Sequence, residues 1–233
     1  MTNKRILTFN ELKIFILSNQ DYFNDFLLEI TVNVTEMFRD PGFFKELRSK
    51  VISQLNTYPH IRVWDAGCST GEEVYSLAIL FKEEGILKKT RIYATDINLK
   101  VLNEAEEGIY PIGYMKDYSK NYIQAGGLTS LSDYYYAKYN SAIMNEELKA
   151  NVTYSTHNLV SDASFNEFHL IVCRNVLIYF QRDLQERVIA KFLECLPVFG
   201  YLVLGNKESL STSLYRKNFE LIDSKEKIYR RIS

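Results

Sequence analysis

Cysteine is scarce in this chain: three in 233 residues, Cys68, Cys173 and Cys195, with no close spacing. The three histidines, His60, His157 and His169, do not cluster with them, so neither a disulfide framework nor a metal site is expected. There is no excess of either charge. Lysine and arginine total 28 against 29 acidic residues, a net charge of -1, which leaves no basic field for nonspecific nucleic-acid binding. No apolar run approaches the roughly 18 residues a membrane helix needs, so no membrane insertion is expected. The opening MTNKRILTFN lacks an apolar core of signal-peptide length, which points to the cytoplasm. Repeats, low-complexity tracts and linkers are also missing. With 46% hydrophobic residues the chain reads as one globular domain with a helical extension or insert.

What is present centres on residues 62–73, RVWDAGCSTGEE. Ile61, Val63 and Trp64 are β-formers after the breaker Pro59, and they lead into Asp65, Ala66 and Gly67. A small-residue turn closes at Gly71. Glu72 and Glu73 then open a helix with Val74, Leu77, Ala78 and Phe81 at helical spacing. Strand, glycine turn and helix start leave bare backbone for a ligand. The turn has two glycines rather than the three of a dinucleotide fingerprint, and no lysine follows Gly71 as in a phosphate-binding P-loop. Carboxylates here repel phosphate but suit a cationic, hydroxyl-bearing ligand. S-adenosylmethionine, with an adenosine, a sulfonium, an ammonium and no phosphate, meets those terms. Taken alone, a GxxxG is an ordinary tight turn. Asp96 sharpens the reading, because it ends the next strand, residues 91–95, where such folds bind ribose hydroxyls.

Ahead of this stretch, residues 9–30 have a helical apolar period interrupted at 18–20, and Asp40-Pro41 starts a helix presenting Phe43, Phe44, Leu47, Val51 and Leu55. On spacing alone Arg39 reads as a solvated helix-end charge. After Asp96 a helix is expected over 99–107, with Gly108 as its C-cap. Residues 110–139 hold eight tyrosines, a Gly126-Gly127 turn and a strand-like stretch at 133–139. They read as a small insert, about 113–150, of helical turns and antiparallel strands. Its tyrosines suit either protein recognition or a minicore of its own. Strands follow at 152–155, at 168–173 as a continuous apolar run, and at 201–204, with a helix at 183–196 and a closing hairpin at 219–222 and 227–231. The pattern predicts a doubly wound α/β sheet with an antiparallel edge. A helical region at 1–57 would precede the main domain at 58–233.

Methyl transfer from a sulfonium needs an in-line nucleophile in a water-excluded site. A carboxylate acceptor is already ionised at neutral pH and needs no general base. An arginine could hold it bidentate and a tyrosine hydroxyl could orient it. Amine methylation usually places an Asn/Asp-Pro-Pro-aromatic motif after the fourth strand, where this chain has Arg174, Asn175 and Val176. Five blocks in order, NVTEMFRDPGFF, RVWDAGCSTGEEVYSLAI, ATDINLKVLNEAEEGIYP, CRNVLIYFQRDLQERVI and GYLVLGNKESL, resemble the chemotaxis-receptor glutamate O-methyltransferases, the CheR family. The resemblance runs over residues 30–233. It implies a class I S-adenosylmethionine-dependent methyltransferase sheet, S-adenosylhomocysteine as product, and methyl-accepting receptors as partners. It also implies cofactor contacts from Asn33, Thr35, Arg39, Glu73, Asp96, Asn158, Leu159, Arg174 and Asn175, with Arg39 and Tyr179 handling the acceptor. That overturns the solvated reading of Arg39. In some members the β-subdomain binds a receptor tail peptide by strand addition, which implies a docking role for the insert. The chain departs from the family at Val74, at 196–199 and at Asn206-Lys207, none of them a matched site residue, and its N-terminal helical region is short. Two alternatives stay open: a carboxyl or oxygen methyltransferase for another substrate, and a non-catalytic cofactor-sensing module.

Overall fold

A glycine turn after the first strand needs a rigid frame on both sides, and a seven-stranded sheet supplies it. The computed structural model describes residues 8–19, 22, 23, 26 and 35–233. The first helix, α1 (Phe9–Ser18), ends where the apolar period was expected to break. Then come α2 (Pro41–Lys50), α3 (Ile52–Leu55), β1 (Ile61–Ala66), α4 (Glu72–Glu83) and β2 (Thr90–Asp96). α5 (Leu99–Glu107) follows, capped by the Asn98 side chain and stopped by Gly108 at φ 62°. The rest of the chain supplies β3 (Ile109–Pro111), α6 (Met115–Gln124), β4 (Tyr135–Lys138), β5 (Ser141–Met144), α7 (Glu146–Lys149) and β6 (Val152–Thr156). It ends with β7 (Leu170–Cys173), α8 (Arg182–Cys195), β8 (Tyr201–Leu204), β9 (Phe219–Asp223) and β10 (Ile228–Arg231).

The large sheet has the order β6-β2-β1-β7-β8-β10-β9. β6, β2, β1, β7 and β8 run parallel, and β10 and β9 form the expected antiparallel edge. All parallel strands therefore aim their C-terminal ends at one crevice, and the order reverses between β1 and β7. Alternating residues feed two cores, as the two-residue period of a strand requires. Leu170 and Val172 join Val63, Ile92 and Val203 under α2, α3 and α4, while Ile171 and Cys173 join Trp64, Leu202 and Phe192 of α8.

β3, β5 and β4 form a separate antiparallel sheet whose first strand starts at Ile109, ahead of Gly113. Tyr110 and Met144 of this sheet, Tyr118 and Tyr122 of α6, and Tyr134 just before β4 belong to the same buried core as β1 and α4. So do Phe43, Phe44, Leu47, Val51 and Leu55, all buried as their spacing predicts. Among the described residues no helix is long and apolar enough to cross a membrane, and no three His, Cys, Asp or Glu side chains are grouped to hold a metal ion.

Candidate active site

The turn after β1 is built from backbone that few residue types tolerate. Gly67 and Gly71 have φ of 89° and 90°, and Ser69 between them has φ 50°. A Cβ on Gly67 would stand 2.4 Å from Val176 Cγ2, so only glycine lets the β1 and β7 loops touch. The amides of Gly67 and Cys68 donate to the Thr95 carbonyl at 2.8 and 3.0 Å, which ties the turn to β2.

Asp96 sits at the end of β2, accepting from the Ser69 amide at 3.0 Å through Oδ2 and from the Asn98 amide at 3.0 Å through Oδ1. Burial pushes its carboxyl up, against the pull of the Asn98, Ser69 and Ile97 amides. Asp65, at the end of β1, is fully buried. Desolvation first, then repulsion from Glu73, raise its pKa well above the ordinary carboxylate value, with Arg174 opposing and Asp96 adding to the rise. Asp65 Oδ2, Ser69 Oγ and Asn98 Nδ2 are buried and have no protein partner. Orphaned polar atoms at the mouth of a glycine turn are what a bound polar ligand would satisfy.

The opposite wall is organised by Arg174, whose side chain is 1% exposed. Its guanidinium pairs with Glu73, with Asp40 at 2.6 Å, and lies 4.4 Å over the Phe43 ring. It also donates to the Arg39 carbonyl at 3.4 Å. Asp40 is the N-cap residue of α2, and both it and Phe38 are left-handed, at φ 55° and 54°. Strained backbone on either side of Arg39 is held by this clamp and by the Phe38 amide, which donates to Ser76 Oγ at 2.8 Å.

The residues expected at the site fall as follows. Asp96 ends β2, Arg174 and Asn175 directly follow β7, and Glu73 reaches Arg174 from the first turn of α4. Asn175, at φ 61°, directly follows Arg174. Arg39 is half-buried beside the Arg174 clamp, and Thr35 is half-buried four residues before it. Asn158 and Leu159 follow β6, next to Asp96, whose carbonyl accepts from the His157 amide at 3.0 Å. The Asn158 side chain is taken up locally, accepting from the Val160 and Ser161 amides at 2.9 and 3.3 Å. Tyr179 stands on the turn after β7, 56% exposed. Asn33 lies outside the described residues.

Two side chains that organise the loops here, Asp40 through Arg174 and Glu208 through the amides after β7, escape a reading by sequence. Asp40 looks like a simple helix start, and the Arg39-Asp40-Pro41 run is its only signal. Glu208, buried behind the β7 loop, has none beyond its place three residues after Gly205.

In its chemistry the crevice is a carboxylate cradle: Asp65, Glu73 and Asp96 face it, and the Arg174 guanidinium is already shared by Glu73 and Asp40. It fits S-adenosylmethionine, a ligand with hydroxyls and positive charge and no phosphate.

Comparison with known proteins agrees. The model of the CheR methyltransferase, SAM binding domain family matches residues 33–228. A Pseudomonas putida protein named "Putative methyltransferase Cher3" is 48% identical over 225 residues, covering 97% of this chain and 82% of its own. A "Chemotaxis protein methyltransferase" of Borreliella burgdorferi is 35% identical, over 83% of this chain and 69% of its own. An "Uncharacterized 104.1 kDa protein" of Rhodobacter capsulatus is 32% identical over 86% of this chain, which spans 21% of that longer protein.

Proposed function

Because the chain belongs to the CheR methyltransferase family, S-adenosylmethionine-dependent methyltransferases, we propose that it esterifies glutamate side chains of chemoreceptor-like proteins from the cytoplasm. The observation that carries the cofactor's place is the cradle itself: three carboxylates around a two-glycine turn, with buried Asp65 Oδ2, Ser69 Oγ and Asn98 Nδ2 unpartnered.

In this reading the cofactor supplies an electrophilic methyl group, and the chain's residues place an acceptor against it. Asp96, its carboxylate already oriented by two amides, takes the ribose hydroxyls. Glu73 would offset the cofactor's positive charge, and the neighbouring Asp65, its proton held by burial, would offer it a hydrogen-bond partner. Thr35 and Arg39 line the same wall, with Asn33 expected beside them. Asn158 and Leu159 after β6, and Arg174 and Asn175 after β7, would supply the further cofactor contacts. Arg39 orients the incoming carboxylate and Tyr179 donates its hydroxyl to it. The acceptor glutamate, with an ordinary pKa near ~4.3, arrives ionised and requires no base. Positioning and exclusion of water then account for the rate.

The insert offers the means of partner selection. β4 and β3 are both edges of its sheet, and β4 exposes its residues from Tyr136 onward. An extended receptor segment adds to such an edge through backbone pairing.

The deciding experiment incubates the protein with methyl-labelled cofactor and the cytoplasmic fragment of a chemoreceptor, then treats the product with mild alkali. A glutamate ester releases methanol. Label that survives alkali would mean an amine or ether acceptor and end the proposal.

A further inference from the structure

The backbone after β7 presents a set of amides to one point. Asn175 is left-handed at φ 61°, and the N–H groups of Asn175, Val176 and Ile178 converge on one side of the loop. Convergent amides of this kind form a nest with a partial positive charge, a ready anion site in nucleotide-binding folds. Here the nest is filled from within. Glu208, 5% exposed, accepts from the Asn175 amide at 3.0 Å and the Gly205 amide at 2.5 Å through Oε2, and from Val176 at 2.9 Å and Ile178 at 3.3 Å through Oε1. One carboxylate thus accepts four amides from two loops, those after β7 and β8.

The arrangement is tight. A Cβ on Gly205 would stand 2.8 Å from the Asn175 nitrogen and 2.8 Å from Glu208 Oε2. On the far side of the same loop, Gln185 at the start of α8 donates to the Leu177 and Phe180 carbonyls at 2.9 and 3.0 Å. The loop is therefore pinned on its amide side by Glu208 and on its carbonyl side by Gln185. Tyr179 sits between these two anchors, with its own side chain directed out to solvent.

We infer that Glu208 is the positioning residue of the methyl-transfer site: by occupying the amide nest it sets the places of Asn175 and Tyr179 together. The inference rests on Tyr179 handling the acceptor. The carboxylate's two oxygens each serve two donors, so no neutral isostere can replace it. Glu208→Gln would turn an amino group toward one pair of amides and leave that pair unmatched. The loop would then shift, and a displacement of about 1 Å at a reacting group costs about 100-fold in rate. With Glu208 in the nest, the Asn175, Val176 and Ile178 amides are already taken and would not serve a phosphate, in keeping with a phosphate-free cofactor.

A double-mutant cycle tests this, because coupling separates positioning from general support of the fold. Wild type, Tyr179→Phe, Glu208→Gln and the double variant are compared in single-turnover methylation of a chemoreceptor cytoplasmic fragment, alongside thermal melting and calorimetric titration with cofactor. Glu208→Gln is expected to slow turnover about 100-fold in the wild-type background and far less once Tyr179 is phenylalanine. Equal slowing in both backgrounds overturns the inference, as does a Glu208→Gln protein with the wild-type rate. A Tyr179→Phe protein at full rate would instead remove the acceptor role of Tyr179, and this inference with it, while cofactor binding stands. If Glu208→Gln shows no cooperative melting, Gly205→Ala displaces the same loop by steric pressure, and the same cycle is read with it.

Discussion

The carboxylates at the strand ends are costly to the protein that carries them. Asp65 is buried beside Glu73 and Asp96, and burial first, with Glu73 second, holds its proton on well above the usual range. Its folded-state pKa therefore lies above the unfolded value near ~3.9. Below that pH Asp65 favours the fold, and as pH rises through the folded-state value this advantage is lost. Each pH unit in that interval is worth up to ~1.4 kcal/mol. Asp65→Asn is accordingly expected to melt higher than wild type at pH 7 when free of cofactor, with the gap closing toward pH 4, while cofactor binding weakens. Calorimetry across that pH range is the check. A variant that melts lower at pH 7 would show that Asp65 is held by contacts its burial and charge do not account for. A site that destabilises its own fold in this way is a familiar cost of binding.

α4 joins the crevice at the strand ends to the insert. It begins with Glu72 and Glu73 at the glycine turn and ends at Glu83, whose side chain is 2% exposed. Glu83 accepts from the Tyr122 hydroxyl, from Tyr134 at 2.9 Å, from the Leu128 amide at 3.0 Å and from Arg48 at 2.6 Å. Burial alone would raise its pKa, but the Tyr122, Leu128, Arg48 and Tyr134 hydrogen bonds outweigh it and the net shift is downward. A lowered folded-state pKa means that Glu83 stabilises in full above the ordinary glutamate value near ~4.3 and loses that contribution as pH falls through the lower folded-state value. Glu83→Gln should cost roughly 1.5–3 kcal/mol at pH 7, the scale of a hydrogen bond to a charged group. In denaturant titrations the difference from wild type should shrink below about pH 4; a constant difference would place the effect in packing instead. The α4 N-terminus is bound to the insert as well, since Glu72 accepts from Thr70 at 2.6 Å and from Tyr118 of α6 at 3.4 Å.

In the whole molecule the insert is both core and surface. Tyr110, Tyr118, Tyr122 and Tyr134 are sealed into the layer beneath β1 and α4, whereas Tyr136 and Tyr139 are 52% and 93% exposed on the β4–β5 hairpin. Tyr139 is also left-handed at φ 53°, a conformation that bulky side chains rarely adopt. If the edge docks a receptor segment, replacing Tyr136 and Tyr139 by serine should raise the KM for a whole receptor about tenfold, or ~1.4 kcal/mol, and leave the affinity for free cofactor unchanged. Parallel kinetic and calorimetric measurements would separate the cases: a fall in both would make these tyrosines structural, and no change in either would place docking elsewhere.

What could be read from the sequence was whatever short-range chemistry dictates. The β1 turn, the helix start at Pro41, the Gly108 cap and the closing hairpin follow from glycine, proline and periodicity within a few residues, and each is where the pattern put it. Asp96 at the end of β2 was visible because a strand's end can be located from its own apolar run. The partners of the charged side chains were not visible. Arg174 meets Glu73 and Asp40 across 101 and 134 residues, and Glu208 reaches Asn175 of the β7 loop across 33. No spacing rule covers such distances, since they depend on how the sheet winds. The dual fate of the tyrosines was decided in the same way. Composition could mark the insert as aromatic, but only packing against α4 determined which rings are buried, because burial belongs to the surface a side chain meets rather than to the residue itself.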